Sequence, residues 1–266
     1  KYKYDLIYLD HPQMYIYGLF FKNKKKILMA HDVMSQRYDS ESNKLFKKIA
    51  TLSEGFFFHQ KHANIFSFSQ KDKDLIKKLY SKDSVVVNFC LDDYIYESKN
   101  TTIYEDKYVF FGKWARKDNL DGLLWFFDVV YPKIDWKIHF DIIGVELPKD
   151  VEKKLCSKGN VSYYGFVDCP YELIEKANAL LAPVFSGAGV KVKVVESLAC
   201  GTPVFGTAIS FEGISKDFSS FMIEFKDADD FVARLKNHRV SIETRHSFRQ
   251  IFVKNYGDKY FIRYIQ

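Results

Sequence analysis

Lys191, Lys193 and Glu196 crowd into one short segment directly after Ser186-Gly187-Ala188-Gly189-Val190. Glycines let a ligand approach the backbone, and the first amides of a helix attract anions. Lysines beside such a turn add positive charge, and a glutamate further along can accept hydrogen bonds from hydroxyls. An anion held next to a polyol describes the diphosphate and ribose of a nucleotide sugar. The loop is neither G-x-G-x-x-G nor G-x-x-x-x-G-K-[ST]. The plain alternative is a tight turn in an α/β core, with surface lysines and a solvated glutamate.

Lys113 and Arg116 follow a second strand end. Cationic groups and helix-end amides can stabilise a departing diphosphate without a metal. Two of these four cations could equally be solvent-facing. On a regular helix positions 191 and 193 stand about 200° apart, whereas 193 lies about 300° from 196, close to the same face. That favours Lys193 over Lys191 as the phosphate partner. His31 ends another strand and could orient a hydroxyl of acceptor or sugar, or be structural. Asp32 and His11 are weaker candidates. No Asp-x-Asp motif occurs, Asp92-Asp93 and Asp229-Asp230 read as caps or solvated pairs, and no metal site is expected.

These residues need strands and helices to hold them. Strands are expected at 4–10, 27–30, 63–69 and 84–89, with helices between them. One is a long helix after Asp39 or Ser40 with Leu45, Ile49 and Leu52 on its apolar side; another is 70–80, capped by Ser69. After a polar stretch at 92–106 the alternation restarts. Strands are expected at 107–112, 136–144, 161–166, 179–184, 203–207 and 220–225. The helices are 119–131, 149–158, 171–177, 190–200 and 228–237, then two in the tail, split near Tyr256-Gly257. Gly201 stops the helix that carries Glu196, and Pro203 bars its return. Two parallel α/β domains follow from this alternation. Their boundaries are read as 1–104, 105–247 and a C-terminal helix, 248–266, crossing back to the first. His31, Gly112-Lys113, Gly144, Gly165-Phe166 and Ser186–Gly189 all follow strand ends and could line one cleft.

At 266 residues, with 47% hydrophobic and 28% charged residues, the composition is that of a soluble globular protein of two modest domains. A net charge of +6 favours anionic partners. The four cysteines show no paired spacing and read as reduced cytoplasmic thiols. No run long enough to span a membrane occurs. The opening lacks an initiator Met, as expected of a segment within a larger protein. Lys22–Lys26, Lys44, Lys47, Lys48 and Phe56–Phe58 suit peripheral contact with an anionic membrane; the same phenylalanines could be core. Dispersed lysines without a stacking platform argue against nucleic acid.

Taken together, the segments resemble the retaining glycosyltransferases of the family 4, group 1 type. The matching pieces are Val109-Phe-Phe-Gly-Lys113, Asn119-Leu-Asp121, Ile142-Ile-Gly144, Val161-Ser-Tyr-Tyr-Gly-Phe-Val167, Leu181-Ala-Pro183, Gly187–Val204 and Glu212-Gly-Ile214. The resemblance is close over about residues 107–214. It implies a GT-B fold, two Rossmann-like domains facing a cleft, with the N-terminal domain lacking about three strands here. It implies a metal-independent transferase that uses a nucleotide sugar as donor substrate, UDP-sugar ahead of GDP-sugar, and needs no further cofactor. The acceptor would be a saccharide or lipid-linked saccharide, in bacterial surface polysaccharide or glycolipid synthesis. The setting would be cytoplasmic, on the inner face of the plasma membrane. Glu196 would hold the ribose, groups at Gly165 and Phe166 the base, and Lys113 and its neighbouring loop the diphosphate. His31 would face the acceptor.

Two positions depart from the family pattern. Ala188 stands where a sugar-binding glutamate is usual, and Asp118 where a lysine is usual. A subgroup with a Gly-x-Gly-x-Lys/Arg-x-Lys loop and an asparagine like Asn119 shares this form, which assigns diphosphate binding to Lys191 or Lys193. Two competing readings remain: a degenerate nucleotide-binding or scaffold subunit, which Ala188 and Asp118 favour, and a sugar-nucleotide epimerase, for which no catalytic carboxylate and histidine set is evident.

Overall fold

The computed structural model describes residues 4–38, 44–89, 91, 95, 102–134 and 137–256. They fall into two compact units: the described residues of Lys1–Phe89 with Ala188–Val190, and those of Cys90–Gly187 with Lys191–Gln266.

The first unit is built on a four-stranded parallel sheet of order β1-β2-β3-β4: Leu6–Asp10, Lys25–Ala30, Ala63–Ser67 and Ser84–Val86. A 3₁₀ helix, Pro12–Phe20, joins β1 to β2. Helix α1, Lys44–Phe58, precedes β3, and α2, Gln70–Tyr80, precedes β4. Ser69 caps α2 as the sequence predicts, its hydroxyl accepting from Asp72 N at 3.0 Å. Leu9, Leu28, Ile65, Phe58, Ile76 and Tyr80 make the core.

The face of α1 differs from expectation. Ala50, Glu54 and Phe58 point inward, while Leu45, Ile49 and Leu52 are exposed. Glu54 decides this orientation. Its carboxylate accepts from Met34 N at 2.7 Å and from the Tyr80 hydroxyl at 2.6 Å. Three partners with Ser35 N make the buried charge tolerable, although burial still raises its pKa. The proposed cap at Asp39 or Ser40 lies outside the described residues.

The second unit carries a six-stranded parallel sheet of order β10-β9-β8-β5-β6-β7. Its strands are β5 Tyr104–Phe111, β6 His139–Ile143, β7 Val161–Gly165, β8 Ala177–Ala182, β9 Val204–Gly206 and β10 Met222–Glu224. β8 is buried at every position, as its run of small and branched apolar residues requires. Helices α3 Lys117–Trp125, α4 Lys149–Cys156, α5 Tyr171–Lys176, α6 Val192–Ala199, α7 Ala228–Asn237 and α8 Ile242–Tyr256 complete the unit. α3 runs on through a π turn at Phe126–Val130 before Pro132 ends it. Its Phe126 and Phe127 meet Phe110, Phe140 and Phe231 in one aromatic core. The strand expected at 220–225 is shorter, because a 3₁₀ helix takes Lys216–Phe221. α8 is pinned by Arg245, a buried guanidinium that donates to the carbonyls of Glu175, Ala177 and Asn178. The expected second tail helix lies outside the described residues.

Candidate donor site

Because β5 and β8 are neighbours whose chains leave toward opposite edges of the sheet, a crevice opens beyond their carboxyl ends. β5 delivers Gly112 and Lys113 there, and β8 delivers the loop that leads to α6. Close backbone packing fixes these loops. A Cβ on Gly144, whose φ is +120°, would stand 1.8 Å from Gly112 O. Gly144 N in turn donates to Gly165 O at 2.8 Å. On the other side, α3 lies so near the β8 loop that a Cβ on Gly122 would stand 2.0 Å from Pro183 O.

The cations expected at this place gather around α6 and the start of α3. Lys193 is half-buried and donates to Asn119 Oδ1 at 2.7 Å. Asn119 Nδ2 donates to Lys113 O at 2.9 Å, so one amide ties α3 to the loop after β5 and to α6. Lys191 is buried and forms the N-cap of α6, which begins two residues later than predicted. The 200° argument for separating the two lysines therefore does not apply. The Lys191 stem turns back, its Cε 3.9 Å from where a Cβ of Gly187 would stand. Asp118 Oδ2 is 3.7 Å from the same point and forms a two-bonded pair with Arg116, at 3.2 and 3.1 Å. Asp118 is thus the counter-charge of the group. Burial first, then repulsion from Arg116 and Lys191, lowers the Lys193 pKa to about 8, while Asp118 opposes the shift. Lys113 is exposed and pairs with Glu146 at 2.9 Å.

Gly187 and Gly189 hold φ of +110° and +73°, so both need glycine's freedom. Ser186 and Gly187 are exposed. Ala188, Gly189 and Val190 belong by contact to the first unit. Gly201, at φ +73°, ends α6 where the sequence places its stop.

Glu196 is half-buried on α6, and burial raises its pKa. Its Oε1 accepts from the Tyr171 hydroxyl at 3.0 Å. Tyr171, the first residue of α5, is the site neighbour that sequence reasoning missed; no motif marks it, and only the fold brings the two together. Gly165 turns at φ +63°, and Phe166 beside it is 74% exposed, a bare ring at a strand end.

In the first unit, His31 follows β2. Its Nε2 lies 2.6 Å from Asp10 Oδ1, its ring stacks on His11 at 3.8 Å, and its edge meets Phe68. His11 holds φ of 67°, an uncommon conformation outside glycine. Ligand atoms of Asp10, His11 and His31 lie within 4.8 Å of one another, near enough to hold a cation. Parallel pairing of β1 with β2 makes this cluster, which sequence spacing conceals. A cavity of about 360 Å³ lies elsewhere, at the amino end of β5, lined by Glu105, Tyr108, Lys236 and Arg239 among others.

The family described as "Glycosyl transferases group 1" matches residues 105–238, the stretch that holds these loops. No curated protein matches the chain by sequence. Among solved structures, the sucrose-phosphate synthase of Thermosynechococcus elongatus superposes with a TM-score of 0.72 at 13% identity, covering 97% of this chain and 71% of that one. HepE of Anabaena, solved with UDP, gives 0.71 at 14% identity, covering 96% and 75%. WaaG, a glycosyltransferase involved in lipopolysaccharide biosynthesis, gives 0.68 at 15% identity, covering 93% and 78%. Both parallel sheets and these neighbours identify the fold as GT-B.

Proposed function

The chain belongs to the glycosyl transferases group 1 family, and from that premise we propose that it moves a sugar, with retention, from a nucleotide-sugar donor to a saccharide or lipid-linked saccharide. UDP-sugars are the first donors to test, since HepE was solved with UDP and with UDP-glucose. A role in bacterial surface polysaccharide or glycolipid synthesis is the setting we favour, in line with WaaG.

The observation that carries this reading is the group of Lys191, Lys193, Arg116 and Asn119 gathered at the glycine loop, with Glu196 one turn beyond Lys193. In the proposed complex the loop amides and the two lysines take the diphosphate, and Glu196 accepts from the ribose hydroxyls. As the glycosidic bond breaks, negative charge grows on the diphosphate. Lys193, already desolvated, stabilises that charge more than a solvated lysine would. Arg116 exchanges Asp118 for phosphate, and Lys113 exchanges Glu146. Phe166 offers its exposed ring to the base. His31, held by Asp10, faces acceptor or sugar. The site in this reading uses fixed cations where other enzymes use a metal.

Asp118 favours one second reading, a nucleotide-binding subunit without transfer. An acid among the phosphate cations, with Ala188 in place of a glutamate, would weaken donor binding. Incubation with UDP-glucose, UDP-N-acetylglucosamine and GDP-mannose, scored by nucleoside diphosphate release and by anomeric proton signals, separates the two. Release that is lost in Lys193→Ala supports transferase chemistry, and an unchanged anomeric configuration in the product supports retention. UDP binding without release from any donor, with or without added saccharides, supports the second reading.

A further inference from the structure

Asp10, His11 and His31 converge where β1 and β2 end. Asp10 pairs with Met29, and the alternation of side chains then carries His31 to the side that Asp10 faces. His11 follows Asp10 directly, so an extended chain would aim it at the other side. Its φ of 67° and ψ of 146° bring it back, and its ring stacks on that of His31. Such a backbone costs a residue other than glycine about 1–3 kcal/mol. Both imidazoles turn Nε2 to the one carboxylate, His31 at 2.6 Å from Oδ1 and His11 at 3.8 Å from Oδ2. The His31–Asp10 contact accounts for two of the three side chains and leaves the conformation of His11 without a purpose. A shared ion accounts for all three.

We propose that Asp10, His11 and His31 form a binding site for a divalent ion of the zinc class. The donors decide the class. Two imidazole nitrogens and one carboxylate suit zinc and its transition-metal neighbours, whereas magnesium and calcium prefer shells of oxygen. Bonds of about 2.0–2.1 Å in a tetrahedral shell set neighbouring ligand atoms about 3.3 Å apart. The separations of 2.6 and 3.8 Å lie on either side of that value. Binding would exchange the His31–Asp10 contact for two bonds to the ion and turn the exposed His11 ring out of the stack. Outer contacts already fix the other two ligands. The edge of His31 meets Phe68, and Tyr8 hydrogen-bonds Asp10. Asp10 and His11 are exposed, so an ion can enter from solvent, and three protein ligands leave it a position for water. This inference does not depend on the donor-site reading, whose cations belong to the other unit.

The test is calorimetric titration of the untagged chain with Zn²⁺, together with visible absorption on titration with Co²⁺. The expected result is saturable binding of one Zn²⁺ per chain that excess Mg²⁺ or Ca²⁺ does not displace. Co²⁺ should give the strong visible bands of a four- or five-coordinate ion. His11→Gly removes one ligand and suits a φ of 67°. Asp10→Asn removes the carboxylate charge and keeps an oxygen for His31. Both variants should therefore stay folded by circular dichroism. Each should weaken Zn²⁺ binding by at least about 10-fold, the loss that even an outer partner of a metal ligand brings. Zinc should also raise the unfolding temperature of the unaltered chain and leave that of His11→Gly unchanged. Absence of saturable Zn²⁺ binding overturns the proposal. So does displacement by Mg²⁺, or binding that both variants leave unchanged, because other surface histidines would then be the ligands.

Discussion

Lys193 concentrates the electrostatics of the proposed donor site in one ammonium. It stands 2.7 Å from Asn119 Oδ1 and shares its surroundings with Arg116, Lys191 and Asp118. Its pKa, lowered to about 8 by burial, means that the charge needed for a diphosphate is present at neutral pH and lost within the accessible alkaline range. A phosphate group is fully ionised above its second pKa of about 6, so the ligand does not change there. The affinity for UDP should therefore be flat from about pH 7 to 7.5 and fall as the pH rises through 8. Binding the anion stabilises the ammonium, so the midpoint in the complex should lie higher than in the free protein. Calorimetry across this range checks the slope, and Lys193→Ala should remove it. A wild-type affinity that is constant to pH 9.5 would mean that Lys193 does not meet the phosphate. Glu196 and Tyr171 illustrate what residue types alone conceal. The glutamate is readable from its motif, whereas its tyrosine partner, 25 residues earlier, is brought near by the packing of α5 against α6.

At the scale of elements, glycine does the positioning. Gly144 bridges the loops after β5 and β7 at a φ of +120°, with no room for a Cβ beside Gly112 O. Gly144→Ala should cost about 2–5 kcal/mol through strain and collision together, and should loosen the loop that carries Lys113. Urea unfolding checks the first effect. A loss of less than about 0.5 kcal/mol would show that these loops can separate freely. Punctuation of this kind is legible in a sequence. Ser69 and Gly201 mark helix ends through chemistry that acts within a few residues, and the structure places both where expected. The outward face of α1 is not legible in the same way. Periodicity locates an apolar stripe but does not say what covers it. Here a competing face wins, because Glu54 has three partners to reach inside: Met34 N, Ser35 N and the Tyr80 hydroxyl. Those partners lie 19 to 26 residues away in sequence. The start of α6 at Val192 is hidden from the sequence for a related reason. The glycine loop extends through Lys191, whose buried stem folds back toward Gly187 instead of joining the helix.

For the whole molecule, two parallel sheets were within reach of the alternating pattern, since parallel neighbours need crossovers, whereas the order β10-β9-β8-β5-β6-β7 and its switch point are seen only in the fold. Where that switch point falls fixes which strand ends carry chemistry, and the family match covers those strands. The central claim is that the crevice beyond β5 and β8 binds the diphosphate and ribose of a nucleotide sugar. Calorimetric titration of the chain with UDP, GDP and ADP tests it most directly, with Lys193→Ala and Glu196→Ala alongside. The account predicts that one nucleotide binds, UDP first among them, and that each substitution weakens it about 10- to 100-fold, as expected for loss of a charged hydrogen bond. Failure of all three nucleotides to bind the folded chain, or binding that both substitutions leave unchanged, would contradict it.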